Sequence, residues 1–261
     1  RGETRWCQGY SEPGAGSDLA GLQTKAVDQG DHFLINGQKI WTSGAQFANR
    51  MFALVRTDPE APKHRGITYL MGQLREDGEL APGVTVRPIP DGLGNHRWDE
   101  LFLEGFRIPA RNIIGEENRG WYAAMTTLSF ERSNIARPAL LLRTLEEFLD
   151  WSTVVRRAGG EAPADRAEIK NRLADWRVQV EALRMVCYRV AWMQSQGEIP
   201  QKESSMVKAF GDTLFQEMYR GMATIMDGYG TLLPTNRGIK LPVNNFLPAR
   251  GWQSIGVSIG G

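Results

Sequence analysis

Apolar positions are spaced differently in the two halves of the chain. Up to about residue 112, short apolar runs alternate with glycine, proline and aspartate, as strands alternate with turns in an all-β domain. The predicted strands cover residues 33–40, 52–55, 67–70, 84–88 and 101–106. Within the first of these strands, the Asn36-Gly37 pair predicts a tight hairpin turn.

Beyond residue 118 the apolar residues recur every three or four positions, which is the period of an α-helix. One long helix is predicted over residues 118–150, with an irregularity at Pro138 because proline lacks the backbone N–H of a helix interior. Two more helices are predicted over residues 165–196 and 203–227. Helices of this length usually pack as an antiparallel bundle.

The predicted fold class is therefore α+β. An all-β barrel or sandwich domain over residues 1–112 precedes an antiparallel helical bundle over residues 113–261, and a length of 261 residues suits two modest domains. The net charge of +1 gives no overall attraction to nucleic acid. No apolar run approaches the roughly 20 residues that span a bilayer, so no membrane span is expected.

Cysteine and histidine are too dispersed to suggest a metal site or a disulfide framework. The residues concerned are Cys7, Cys187, His32, His64 and His96. The chain begins at Arg1 rather than methionine and ends in Gly260-Gly261, so both ends are expected to be truncations.

Residues 9–18, with the sequence G-Y-S-E-P-G-A-G-S-D, carry the clearest chemical signal. Three glycines and a proline force a tight turn here, which lets backbone N–H groups approach a flat or anionic ligand. A simple surface turn is the alternative interpretation. The spacing fits neither the G-x-G-x-x-G dinucleotide fingerprint nor the G-x-x-x-x-G-K-[ST] phosphate loop.

Together with later segments, this loop resembles the acyl-CoA dehydrogenase family. The matching strings are E-P-G-A-G-S-D at 12–18, N-G-Q-K-I-W-T-S-G at 36–44, R-T-D at 56–58, P-A-R-N at 109–112, I-G-E at 114–116 and G-W at 120–121. The resemblance covers nearly the whole chain. It implies a middle β-barrel domain followed by most of a C-terminal four-helix bundle, without the N-terminal helical domain or the end of the last helix.

The resemblance implies FAD-dependent α,β-dehydrogenation of an acyl-CoA thioester. On the loop, Tyr10 and Ser11 would line the pyrimidine side of the flavin through backbone and hydroxyl contacts. Gly16 would face the ligand, and Ser17 would lie near the pantetheine or nucleotide part of the substrate CoA. Reduction places negative charge on the flavin's N1/O2 edge, so donors are needed there.

The resemblance also gives roles to the tryptophan segment. Trp41 would shield one face of the isoalloxazine ring, and Thr42 and Ser43 would sit near flavin N5, where the hydride arrives. Without the neighbouring motif, the alternative interpretation of Trp41 is an aromatic side chain of the core or of an interface.

The implied reaction needs a carboxylate that removes the substrate's α-proton while hydride leaves the β-carbon. Many family members place this glutamate just before the last helix, where this chain reads Ser258-Ile259-Gly260-Gly261 and has glycine at the matching position. A subset places it on the first C-terminal helix, where this chain has Phe130-Glu131-Arg132. Glu131 is therefore the predicted base, with a solvated helix glutamate as the alternative. Arg132 is expected to contact the substrate, tune the base or bind a partner subunit.

The family's motif for the FAD diphosphate is missing from residues 151–160, and neither Arg156 nor Arg157 clearly replaces it. Residues 227–230 resemble a turn that approaches the flavin across a subunit interface. Two alternatives follow: a flavin-poor, non-catalytic partner subunit of a mixed oligomer, and an acyl-CoA oxidase. The expected partners are acyl-CoA, an electron-transfer flavoprotein and other subunits in a homodimer, homotetramer or hetero-oligomer. The expected location is the bacterial cytoplasm or the mitochondrial matrix.

Overall fold

The computed structural model describes residues 3–91, 94–131, 135–156 and 160–227. They form two compact units, the first comprising the described residues up to Thr127 and the second beginning at Leu128. Strands make up most of the first unit and helices the second, so the predicted α+β class is confirmed. Each unit has a hydrophobic core of its own.

The first unit contains a seven-stranded sheet and a two-stranded ribbon. Its strands are β1 (Trp6–Gly9), β2 (Lys25–Asp28), β3 (His32–Ser43), β4 (Arg50–Arg56), β5 (Ile67–Gln73), β6 (Arg75–Glu76), β7 (Glu79–Leu80), β8 (Val84–Pro90) and β9 (His96–Pro109). The sheet order is β1-β4-β2-β3-β9-β8, with β5 also paired to β4, and β6 pairs with β7. The strands predicted at 52–55, 67–70, 84–88 and 101–106 are confirmed as parts of β4, β5, β8 and β9.

The hairpin predicted at Asn36-Gly37 is wrong, because β3 runs through both residues. Instead, the pairing of β3 with β9 shifts register between Ile35 and Asn36, and Asn36 Oδ1 accepts a hydrogen bond from the Gly105 N–H at 2.8 Å. A Cβ on Gly37 would lie 2.7 Å from the Thr24 Cα. The pair therefore lies opposite a β-bulge at Gly105 of β9, and Gly37 marks a close backbone approach, which is a common setting for glycine in strands.

The segment after β9 stays attached to the sheet. Ile113 forms a bridge to Leu70, and Arg119 forms one to Ile67. These contacts explain why the compact first unit extends beyond residue 112, where the predicted β domain ends, to Thr127 within the first helix.

Four helices follow within the described residues, namely α1 (Gly120–Glu131), α2 (Ala136–Val154), α3 (Ala167–Ser195) and α4 (Gln201–Met226). The helices predicted over 165–196 and 203–227 are confirmed as α3 and α4. The single helix predicted over 118–150 corresponds instead to α1 and α2. Pro138 is in the first turn of α2, where its missing N–H would have had no acceptor within the helix.

One apolar face of each of the helices α2, α3 and α4 contributes to the core of the second unit. Trp176 and Tyr219 are fully buried there, and the Tyr219 hydroxyl lies 3.1 Å from Thr144 Oγ1. A Cβ on Gly221 would lie 2.4 Å from the Trp176 ring, so α3 and α4 approach each other closely at this point. Within the described ranges, no helix is long and apolar enough to cross a membrane, and no cluster of side chains suits a metal ion.

Candidate functional site

Residues 10–18, called the glycine loop here, form a turn closed by their own backbone. The Glu12 N–H donates to the Ala15 carbonyl at 2.8 Å, and the Ala15 N–H donates to the Glu12 carbonyl at 3.0 Å. Gly16 and Ser17 are exposed, and a Cβ built on Gly14 or Gly16 would meet no atom within 4 Å. The outer side of the loop is therefore open to a ligand that approaches its main chain.

The glycine loop lies directly against β3. The Ile40 N–H donates to the Ser11 carbonyl at 2.9 Å, one residue before Trp41. The two segments singled out in the sequence, residues 10–17 and 41–43, are therefore neighbours on one part of the sheet.

A buried lysine lies beneath this junction. Lys39 has no exposed surface, and its Nζ donates to Glu12 Oε1 at 2.7 Å, to the Leu54 carbonyl at 2.7 Å and to the Tyr10 carbonyl at 3.2 Å. An ammonium group has three donors, and each of them has an acceptor here. Sequence reasoning gave Lys39 no role, although its place in a strand with buried Phe33 and Ile35 on the same alternation was a usable signal.

The Glu12 carboxylate is nearly buried and accepts two further hydrogen bonds. The Gln23 N–H donates to Oε2 at 2.6 Å, and the Thr24 N–H donates to Oε1 at 2.9 Å. Burial alone would raise the pKa of Glu12, but the charge of Lys39 and the hydrogen bonds together bring that pKa below its usual value. The carboxylate is therefore held in its charged form inside the protein.

Trp41 lies in a second β-bulge, whose extra residue is on β3 itself. The register with β9 shifts between Lys39 and Thr42, so Ile40 and Trp41 together oppose Glu100. Trp41 has a φ of 59°, a left-handed conformation that costs an L-residue about 1–2 kcal/mol. Because the extra residue reverses the alternation of side chains, Trp41 points outward with 54% of its surface exposed.

Trp98 supports the exposed indole. The two rings meet edge to face, with centroids 6.0 Å apart and an interplanar angle of 83°. The next residue on β9, Asp99, is fully buried and accepts a hydrogen bond from the Gln46 N–H at 3.1 Å. Its other oxygen lies 2.7 Å from His96 Nε2. Sequence reasoning missed Trp98 and Asp99, which lie one strand away from the matched motif.

The hydroxyls of Thr42 and Ser43 have different environments. Ser43 is exposed, whereas Thr42 Oγ1 is buried and has no hydrogen-bond partner within the described part of the chain. An exposed flat aromatic side chain, an unpaired hydroxyl and an open main-chain loop fit a planar ligand with polar edges, such as a flavin ring.

The Tyr10 side chain is part of the structural core. It is 4% exposed, its ring packs edge-on against Phe52 and Tyr69, and its hydroxyl donates to the Tyr69 hydroxyl at 2.8 Å. Any contact between Tyr10 and a ligand on the loop would therefore involve its main chain.

The predicted base, Glu131, is the last residue of α1 and is exposed. It belongs to the second unit, whereas the glycine loop and Trp41 belong to the first. Arg132, Arg157, residues 228–230 and the C-terminal Gly260 lie outside the described residues. Arg156 is exposed, and its Nη1 donates to the Thr153 carbonyl at 2.9 Å.

Two family models match the chain in succession. Residues 7–106 match the acyl-CoA dehydrogenase middle domain, and residues 118–245 match the acyl-CoA dehydrogenase C-terminal domain. Acyl-CoA dehydrogenase FadE34 of Mycobacterium tuberculosis is 37% identical over 239 residues, which cover 92% of this chain and 32% of FadE34.

Among solved structures, the ChsE4-ChsE5 complex from Mycobacterium tuberculosis matches with a TM-score of 0.86 and 32% identity. The Tcur3481-Tcur3483 steroid ACAD matches with a TM-score of 0.85 and 31% identity. Both matches cover all of this chain, together with 65% of the ChsE4-ChsE5 chain and 64% of the Tcur3481-Tcur3483 chain. The chain therefore spans about a third to about two thirds of the length of these relatives. The chain belongs to the acyl-CoA dehydrogenase family, of which it contains middle-domain and C-terminal-domain sequence.

Proposed function

We propose that the protein containing this chain dehydrogenates an acyl-CoA thioester with FAD as its cofactor. The observation that supports this most directly is the contact between the glycine loop and the Trp41 segment, through the Ile40 N–H and the Ser11 carbonyl. An open loop and an exposed indole on adjoining segments offer one wall to a planar ring. Family membership supports the choice of an isoalloxazine ring for that wall.

FAD, when bound, supplies a hydride acceptor at N5. The main chain of the glycine loop at Tyr10, Ser11 and Gly16 would hold the polar edge of the flavin, and Trp41 would cover one face. Thr42 and Ser43 would donate near N5, because their backbone and hydroxyl groups follow Trp41 directly.

We assign the base to Glu131. Its carboxylate would take the α-proton of the thioester while the β-hydrogen leaves as hydride, so the substrate loses two hydrogens and gains a C=C bond. Ser17 would contact the CoA part of the substrate, and Arg132 would contact substrate next to the base. We place the domain boundary after residue 112, at the end of the strand-rich sequence.

The test uses the full-length protein purified with its flavin. Anaerobic addition of a panel of acyl-CoAs, including one with a steroid side chain because one similar structure is a steroid ACAD, should bleach the flavin absorbance near 450 nm. Failure of every acyl-CoA to reduce a fully loaded flavin would contradict the proposal. Rapid reoxidation in air would indicate an oxidase, and slow reoxidation with turnover by an electron-transfer flavoprotein would indicate a dehydrogenase. We propose the bacterial cytoplasm or the mitochondrial matrix as its location.

A flavin-poor partner subunit is the second candidate. It is favoured by the two similar structures, because the name of each joins two different components. Measuring the flavin-to-protein ratio of the full-length chain expressed alone, and again with a second family member, separates the two candidates. A stoichiometric flavin content without the second chain would exclude the partner-subunit proposal.

A further inference from the structure

Lys39 lies on the strand that carries Trp41, and its side chain binds both the glycine loop and β4. Its ammonium group binds the start of the glycine loop at the Tyr10 carbonyl and again at the Glu12 carboxylate, while its third hydrogen bond goes to Leu54 on β4. Its own backbone lies on β3, two residues before Trp41. One buried cation therefore connects the loop, β3 and β4.

Glu12 extends this connection to the far side of the loop. Its carboxylate accepts hydrogen bonds from Gln23 and Thr24, which follow the loop in sequence. The loop is therefore held from inside at its beginning and at its exit, while its outer face stays open at Gly14 and Gly16.

Stability alone is a weak explanation for this pair. Two charges lose most of their hydration when they are buried, and an apolar pair of similar volume is often as stable or more stable. A buried ion pair with all its hydrogen bonds satisfied does, however, fix distances and directions that apolar packing leaves free. Here the fixed distances are those between the loop and the strand that carries Trp41.

We propose that Lys39 is a positioning residue: through Tyr10 and Glu12 it sets the separation between the glycine loop and Trp41 at which the flavin ring fits. The inference rests on the proposed function, because it takes the flavin to lie against these two segments. It adds a role for a residue that reaches the ligand only through its neighbours.

The test compares Lys39→Met with Ile108→Ala in the full-length holoenzyme. Ile108 is fully buried in the core of the same sheet, and its strand partner is Phe33, at the other end of β3. Both variants should lower the unfolding temperature. Lys39→Met leaves the buried Glu12 carboxylate without its cation, and Ile108→Ala opens a cavity. Only Lys39→Met should also raise the FAD dissociation constant, by about tenfold or more, and alter the visible spectrum of the bound flavin.

Glu12→Gln is the second variant, because it removes the partner charge but keeps the side-chain shape. It should weaken FAD binding in the same direction, and it is measured in place of Lys39→Met if that variant does not fold. The inference is wrong if the Lys39 or Glu12 variants lose stability but keep the wild-type FAD affinity and spectrum. If the wild-type enzyme itself binds no flavin, the proposed function is wrong too. The failure of the positioning role alone is therefore distinguishable from the failure of the proposed function.

Discussion

Glu12 shows at the scale of one residue how a charge can be kept inside this protein. The Lys39 ammonium and the Thr24 N–H donate to Oε1 of its carboxylate, and the Gln23 N–H donates to Oε2, so both oxygens have partners. The pKa of Glu12 is lowered although burial opposes this. A carboxyl group whose pKa is lower in the folded than in the unfolded state stabilises the fold at pH values above the unfolded pKa, and this stabilisation is lost as pH falls through the folded pKa.

Glu12→Gln should therefore make stability less dependent on pH in acid. We expect wild-type protein to lose stability steadily below about pH 4.5, near the ordinary pKa of this carboxyl group, and the variant to lose less over the same range. Thermal unfolding followed by circular dichroism between pH 3 and 7 measures this. Glu104→Gln removes an exposed carboxylate from the same sheet and is the control. Identical acid profiles for Glu12→Gln and wild type would contradict the prediction.

The proposed base gives a second prediction for a single residue. Glu131→Gln should slow flavin reduction by acyl-CoA by about 100-fold or more, since a positioned base contributes roughly 10²–10⁴-fold. Stopped-flow bleaching of the bound flavin measures the rate. The control is Glu146→Gln, which changes an exposed glutamate on α2 and should retain the wild-type rate of reduction. Both variants should bind as much FAD as the wild type. Wild-type reduction by Glu131→Gln would remove Glu131 from this role.

At the scale of one element, β3 explains both what sequence reasoning found and what it missed. The apolar alternation around Phe33 and Ile35 predicts a strand, and the motif at its end marks Trp41. The two bulges in its pairing with β9 could not be predicted. Asn36-Gly37 suits a turn as well as a strand position opposite the Gly105 bulge, and the side chain of Trp41 does not indicate a positive φ. Lys39 was missed because a charge in a half-polar strand usually faces water.

The second bulge predicts a difference between two truncations of Trp41. Trp41→Ala and Trp41→Gly both remove the indole, but only glycine adopts the left-handed conformation without strain. Trp41→Gly should therefore be more stable than Trp41→Ala by about 1 kcal/mol, measured by chemical denaturation of the flavin-free protein. Both variants should bind FAD more weakly than wild type. Equal stabilities would mean that the bulge relaxes once the indole is removed.

At the scale of the whole molecule, each of the two units contains one buried cysteine. Cys7 lies in the core of the sheet, and Cys187 in the core of the helices. Burial, aided by the nearby charge of Asp99, raises the pKa of Cys7 to about 12, and burial raises the pKa of Cys187. Since the thiolate is the reactive form, neither cysteine should react in the native protein.

Thiol labelling should therefore report the unfolding of each unit separately. With a disulfide reagent at pH 8, we expect both cysteines to stay unlabelled in native buffer and to become labelled as denaturant opens the unit that contains them. Mass spectrometry of peptides assigns each label. Cys7→Ser and Cys187→Ser leave a single reporter each and serve as controls. Rapid labelling of Cys7 without denaturant would contradict its buried position.

The edge-to-face contact between Trp41 and Trp98 has an optical consequence. Two indoles with centroids 6.0 Å apart couple their electronic transitions, which gives a paired positive and negative band in circular dichroism that depends on their mutual angle. A flavin ring bound over the Trp41 indole would quench the fluorescence of that indole and change the pair of circular dichroism bands. The protein thus has a built-in spectroscopic probe at the surface where its cofactor is proposed to bind, and occupancy can be followed there without any added label.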